Sequence, residues 1–308
     1  MREVDETHTN FAWRFAHDRI RQAAHALVDP AMAESVRLAV GGHLLRRLDE
    51  GPASAPDREQ RVFEVVEHLQ AARGALGGAE RVRLEELQLE AGRHAIASAA
   101  FGTAHAILST AAGHVEPGAW EDRYDRVLAI HLESARAAWL AGDRDAMRAR
   151  IDEALARART PMDRVAAREI EIDAHVGEQR FAEAVSTALE VLASLGVTFP
   201  AEPGAADVGA AVEDALRALE AAGPEAIVRM PEVTEPAARV AMRIQNAIMS
   251  SAYLARPMLF PLLACSLVRT TLRHGPTRQS PYGFAVFALL LNVHYRIDVE
   301  AGVGDLSA

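Results

Sequence analysis

Twelve histidines, one cysteine and a dense interleaving of arginine with carboxylates are the groups in this chain that could carry chemistry. Metal binding through histidine needs ligands that meet, and on a helix that means partners three or four residues apart. His8, His17, His25, His43, His68, His94, His105, His114, His131, His175, His274 and His294 include no such pair. The sequence therefore assigns no metal ligand, no cofactor ligand and no catalytic residue. Carboxylates such as Asp122 and Glu153 stand four residues before Arg126 and Arg157, the spacing of ordinary ion pairs on a solvated helix face rather than of an acid–base dyad. Cys265 lies in the apolar run Phe260-Pro261-Leu262-Leu263-Ala264-Cys265-Ser266-Leu267, where a buried, inert thiol is expected.

All 33 basic side chains are arginine, and no lysine occurs. A phosphate-binding loop of the Walker type and a protein-kinase nucleotide site both need a lysine ammonium, so neither fits within this chain. Schiff-base chemistry is excluded on the same ground. The formal net charge of −10 argues against a nucleic-acid surface, which needs a basic field to neutralise phosphates. The polar, acidic opening Met1 to Asn10 is no signal peptide. The longest apolar stretch, Tyr282 to Tyr295, is shorter than the roughly 20 residues of a membrane span. A cytoplasmic location is the expectation.

Helical periodicity runs nearly throughout and strand signals are scarce. Half the residues are apolar but aromatics are few, which favours closely packed, alanine-rich helices. The pattern predicts helices over about 18–28, 32–48, 58–73, 79–96, 101–112, 208–222, 235–254, 258–273 and 281–295. A repeat lies between them. Phe101, Arg144 and Phe181 each begin a segment with small or aliphatic residues three, seven and eleven positions on: Ala104, Met147 and Ala184; Leu108, Ile151 and Ala188; Ala112, Leu155 and Leu192. Those offsets rebuild one helical face each time. Copies starting at 144 and 181 are 37 residues apart, and Leu128, Ala135 and Trp139 precede Val165, Ile172 and Val176 by the same interval. Copies starting at 101 and 144 are 43 apart, with the Gly113 to Ala119 loop absorbing the excess. Two helices per unit at this period predict an all-α fold of the tetratricopeptide-like α-solenoid type, an irregular helical bundle being the alternative. Arg144 departs from the pattern, since an aromatic is usual there.

Three domains follow: a remnant over 1–50, repeats over 58–196, and further helical repeats over 205–308. Gly196 to Gly204, with two prolines, is an extended connection between the last two. In the final part, Tyr282, Phe284, Phe287, Leu290 and Leu291 make an apolar helix, and Arg296 to Ala301 reads as the start of a further turn–helix unit. A solenoid normally ends in a polar capping repeat. Its absence predicts truncation at both ends and self-association through exposed Phe284, Phe287 and Leu291. The segment Arg256-Pro257-Met258-Leu259-Phe260-Pro261 reads as a helix–helix corner, with Arg256 and Phe260 as a candidate ligand groove.

The run Phe15-Ala16-His17-Asp18-Arg19-Ile20-Arg21-Gln22-Ala23-Ala24 resembles the closing segment of the ATPase module in large bacterial signalling proteins. These join a serine/threonine kinase domain, an AAA/STAND-type ATPase, a tetratricopeptide-like region, a GAF domain and often a histidine kinase. Phe15, His17, Asp18, Arg19 and Gln22 carry the likeness, although His25 stands where the family usually has tyrosine. Glu64 to Leu69, Ala91 to Phe101, Tyr253 to Leu262 and Tyr282 to Leu291 are similar to its later helices. The resemblance implies a winged-helix-like remnant before the repeats, kinase and nucleotide-binding domains upstream, and sensor and output domains downstream. It implies a non-catalytic interaction and regulatory module whose partners are a protein or peptide and the neighbouring domains. The middle of a large ATP-binding transcriptional regulator, and an independent small-molecule-binding solenoid, are the alternatives.

Overall fold

A computed structural model describes residues 29–51 and 55–304, with Arg19 alone before them. Among the described residues the fold is all-α, and no strand occurs. Helices are α1 (Pro30–Glu50), α2 (Ala55–Ala71), α3 (Gly78–Ala97), α4 (Phe101–Gly113), α5 (Ala119–Asp122), α6 (Tyr124–Leu140), α7 (Arg144–Arg157), α8 (Pro161–Gly177) and α9 (Phe181–Ser194). They continue as α10 (Ala205–Ala222), α11 (Pro224–Arg229), α12 (Pro236–Ala247), α13 (Met249–Ala255), α14 (Leu259–His274) and α15 (Ser280–Gly304). The chain divides into two compact units, residues 1–119 and 120–308.

Local sequence explains where the helices begin. Asp29 accepts the Ala31 N–H at 2.9 Å, with Pro30 in the first turn of α1, so the cap satisfies a donor the helix leaves open. Asp143 caps α7 through the Ala146 N–H at 2.9 Å. Thr160 and Asp163 form a reciprocal capping box on α8, with Pro161 between them.

The three aligned segments begin where three helices begin, at Phe101, Arg144 and Phe181. The turn before each is built identically. Ala99, Gly142 and Gln179, each two residues ahead of its helix, adopt φ of 58°, 85° and 60°. The following N–H reaches back five residues: Ala100 to Ala95 O, Asp143 to Ala138 O and Arg180 to His175 O, all at 2.8 Å. This is the Schellman closure, a left-handed residue that lets orphan carbonyls be satisfied. The repeat is therefore real in backbone geometry as well as in hydrophobic pattern. Ala104, Leu108, Ala184, Ala188 and Leu192 are fully buried, and Met147 and Ile151 nearly so.

In the unit 1–119, α1 packs on α2, α2 on α3, and α3 on α4. Val62, Val65, Leu69, Leu84 and Leu87 form its core. Gly92 of α3 lies so close to α4 that a Cβ there would fall 2.4 Å from Leu108 Cγ. The expected winged-helix-like remnant over 1–50 is described only from Asp29 onward, where it is the single helix α1 hairpinned onto α2. Phe15, His17, Asp18 and Gln22 lie outside the described residues, and Arg19 is exposed.

In the unit 120–308, the hairpins α6/α7 and α8/α9 stack so that α8 touches both helices of the hairpin before it. α12 repeats the arrangement on α8 and α9, pairs with α14, and is followed by α15 against both. The packing is that of stacked helical hairpins, consistent with a tetratricopeptide-like α-solenoid. Its core runs continuously from Val165 and Ile172 through Leu192, Ile244 and Ile248 to Leu263 and Leu267. Trp139 of α6 is seated against Gly177 of α8, where a Cβ would come within 3.0 Å of the indole.

Three expectations need correction. The helix expected over 235–254 is two, α12 and α13, joined through Ile248, whose N–H reaches Ile244 O at 3.1 Å while its own carbonyl accepts from Ala252 at 2.8 Å. No turn–helix unit begins at Arg296: α15 continues to Gly304, because neither glycine nor proline interrupts the sequence between Gly283 and Gly302. Phe284, Phe287 and Leu291 are not an exposed patch. Phe287 is buried with Cys265, Val268 and Ala215, and Phe284 and Leu291 pack against that cluster. The helix that supplies the cover is α10, which inserts after the extended 196–204 connection and lies along α14. Among the described residues, the large exposed apolar side chains of α15 are Tyr282 and Leu289.

Candidate functional site

Successive hairpins place α6, α8 and α12 side by side, and a cavity of about 330 Å³ opens over them. Arg136 comes from α6, Glu169, Ile172 and Asp173 from α8, and Arg243 and Ala247 from α12. Arg243 grips Glu169 with two parallel hydrogen bonds, Nε to Oε1 at 2.7 Å and Nη2 to Oε2 at 2.6 Å. Fork-to-carboxylate pairing of this kind fixes both groups and ties α12 to α8. Arg136 keeps only a loose contact with Glu133 at 3.8 Å. Asp173 is half-buried, and burial pushes its carboxyl above the usual range with help from Glu169, while Arg136 and Arg243 hold it back. The groove thus offers two cations and two carboxylates, contributed in turn by three helices.

A second, larger cavity of about 710 Å³ lies between α10, α14, the start of α12 and the 195–200 connection. Its charges are mostly paired. Asp214 bridges Arg217 at 2.5 Å and Arg269 at 3.2 Å. His274 Nδ1 meets Glu235 at 2.8 Å. Asp207 accepts the Gly204 N–H at 2.8 Å, capping α10.

Arg256 and Phe260, the groove candidates of the sequence, lie in neither cavity. They sit at the α13–α14 corner, where Phe260 packs edge-on against Tyr253 with ring centroids 5.4 Å apart and Arg256 is exposed. Tyr253, Leu254 and Met258 are exposed beside them.

The sequence does carry a helix-face signal for the groove. Arg136 and Asp173 follow Ala135 and Ile172 directly, so they are equivalent positions of the 37-residue repeat. Carrying the alignment one residue further would have placed both on the same face. Arg243 and Glu169 are 74 residues apart and meet only through the stacking of α12 on α8.

Two polar clusters support the hairpins. Tyr124 donates to Asp163 at 2.6 Å, and the Arg159 N–H donates to both Tyr124 Oη and Asp163 Oδ2, at 2.9 and 3.0 Å. Burial opposes ionisation of Asp163, but donation from Tyr124, Thr160 and Arg159 prevails and holds its carboxyl below the ordinary value. The Arg159 guanidinium lies over the Tyr124 ring at 4.1 Å and reaches Trp120 O at 2.6 Å. Beside it, His131 is 4% exposed, packs against the Trp120 ring at 5.1 Å, and leaves Nδ1 without a hydrogen-bond partner. Burial, with the charges of Arg150 and Arg157, pushes its pKa down from 6.5 to about 4.

Cys265 is 1% exposed, and burial pushes its thiol up to about 11. Among the described residues, no three His, Cys, Asp or Glu side chains are grouped as metal ligands, and no helix is long and apolar enough to cross a membrane. Comparison with known proteins identifies no matching family model, no matching curated protein and no matching solved structure.

Proposed function

We propose that this chain is a non-catalytic protein-interaction and regulatory module, cytoplasmic and acting within a multi-domain signal-transduction ATPase or kinase. The observation that supports it best is the groove across α6, α8 and α12, where each stacked hairpin adds its own charged side chain. A surface assembled one helix at a time suits an extended peptide, which can present successive side chains to successive repeats. The groove holds alternating charges and no nucleophile–base pair. The likeness of the Phe15 to Gln22 phrase to the end of an ATPase module supplies the reading of the parent protein, and nothing finer rests on it.

Selection of peptides from a random library against the 308-residue chain tests the proposal. Selected peptides should lose at least tenfold in affinity when Ala247→Trp fills the groove, and similarly when Arg243→Ala removes the fork. Leu289→Ser, on an exposed face elsewhere, should leave affinity unchanged. Peptides that bind all three variants like the wild type would place recognition outside this groove. Steady nucleotide hydrolysis by the purified chain would overturn the non-catalytic reading.

A further inference from the structure

The cavity beside α10 carries an unpaired row of donors that the peptide groove does not explain. Along α14, Ser266, Thr270 and Arg273 line it at intervals of four and three residues, one helical face about 10 Å long. Among the described residues none of these three side chains has a hydrogen-bond or ion-pair partner. Their neighbour shows the contrast: Thr271, turned the other way, donates to Leu267 O at 2.8 Å and meets Ser280 Oγ at 2.9 Å. Every other charge lining the cavity is engaged. Asp214 is held by two arginines, Glu235 by His274, Asp207 by a backbone N–H, and Glu213 faces Arg217 at 3.8 Å. Among the described residues lining the cavity, Arg273 is the cation without a carboxylate partner.

Apolar surface lines part of the remainder: Val197 and Phe199 come from the connection, and the buried Leu262 lies on α14 one turn before Ser266. A volume near 710 Å³ falls within the range of small-molecule sites. A row of donors ending in a cation on α14, with Val197 and Phe199 of the connection lining the same cavity, defines the guest by its chemistry.

We propose that this cleft binds a small organic oxyanion with an apolar body, a carboxylate or a phosphate monoester, whose head pairs with Arg273 while its chain lies on Val197 and Phe199. Guanidinium is suited to either head because its planar fork matches two oxygens at once. Thr270, three residues before Arg273 on the same face, adds a hydroxyl donor to the same head. α10 and the 195–204 connection form one side of the cleft and α14 the other, so an occupant ties the inserted helix to the hairpin stack. Occupancy is therefore read as stabilisation.

Octanoate and octyl phosphate, kept below micelle-forming concentrations, are the probes, with octanol and octylamine as controls. Thermal unfolding and calorimetric titration of the full chain provide the readouts. At least one anion should bind saturably and raise the melting temperature, and the better of the two identifies the head group. Octanol should bind at least tenfold more weakly and octylamine should not bind. Arg273→Gln should cut anion affinity at least tenfold while leaving the unliganded melting temperature in place, since the side chain is exposed and unpaired. Arg278→Gln, exposed in the loop after α14, should change nothing. Amide exchange should slow in 195–217 and 262–274 on binding. Absence of saturable binding by both anions, equal binding of octanol, or wild-type affinity in Arg273→Gln would each overturn the proposal.

Discussion

Acid should loosen the 120–308 unit through one side chain, His131. Its imidazole is packed against Trp120, 4% exposed, with Arg150 and Arg157 close enough to oppose a further positive charge. In the unfolded chain the ring titrates near 6.5; in the fold its pKa is about 4. The unfolded state therefore takes up the proton first as pH falls. The stabilisation is complete above pH 6.5 and drains away down to about pH 4. The full gap between these values corresponds to about 3 kcal/mol. Between pH 7 and pH 5 the same two values predict a loss of about 2 kcal/mol. Urea unfolding followed by tryptophan fluorescence at pH 7, 6 and 5 measures it, because Trp120 and Trp139 both report on this unit. His131→Gln, which cannot titrate, should be less stable at pH 7 from lost packing yet lose about 2 kcal/mol less than the wild type on going to pH 5. Parallel pH profiles for the two proteins would refute the reasoning, by showing that the ring is already solvated in the native state.

Other perturbations act on packing and on the thiol. Gly92→Ala should cost about 1–3 kcal/mol, because its Cβ would meet Leu108 at 2.4 Å on a helix that backbone hydrogen bonds hold in place; equal stability in chemical denaturation would mean α3 and α4 separate freely. Tyr124→Phe should cost about 1–2 kcal/mol and raise the Asp163 carboxyl toward its ordinary value, since a 2.6 Å donor to that carboxylate is lost. NMR titration of the carboxyl carbon separates this from a packing effect. Cys265 should resist iodoacetamide at pH 8 in the native protein and react at once in urea, its pKa near 11 and 1% exposure leaving almost no accessible thiolate. Rapid native labelling would show that the α10–α14 contact opens.

The hairpin architecture was legible because hydrophobic offsets of three, seven and eleven residues survive in an alanine-rich chain, and the three helices begin at the residues where those offsets begin. Helix starts were legible where Asp29, Thr160 and a following proline announce them. The role of α10 was not. Its pattern predicted a helix, but nothing local says that it turns back along α14 and buries Phe287 and Cys265. The break at Ile248 was hidden for a similar reason: a fully buried isoleucine carries no turn signal. Of the groove, Arg136 and Asp173 could be found from the repeat interval, whereas the Arg243–Glu169 fork depends on a contact between segments 74 residues apart. The donor row on α14 reads in sequence as three unremarkable polar residues, and only the satisfied state of every neighbour sets it apart.

The recurring turn at Ala99, Gly142 and Gln179 restricts where such a protein can lengthen. Because the five-residue backbone closure leaves no slack, one added residue inside a hairpin would forfeit the cap. Among the described residues, two irregular lengths enter where one hairpin ends and the next begins: the short α5 before α6, and the whole of α10 and α11 before α12. Those junctions are the natural seams for grafting a foreign segment, and a tag or sensor peptide spliced after Gly113 or the exposed Glu202 should leave the hairpins intact where the same splice after Gly142 would not.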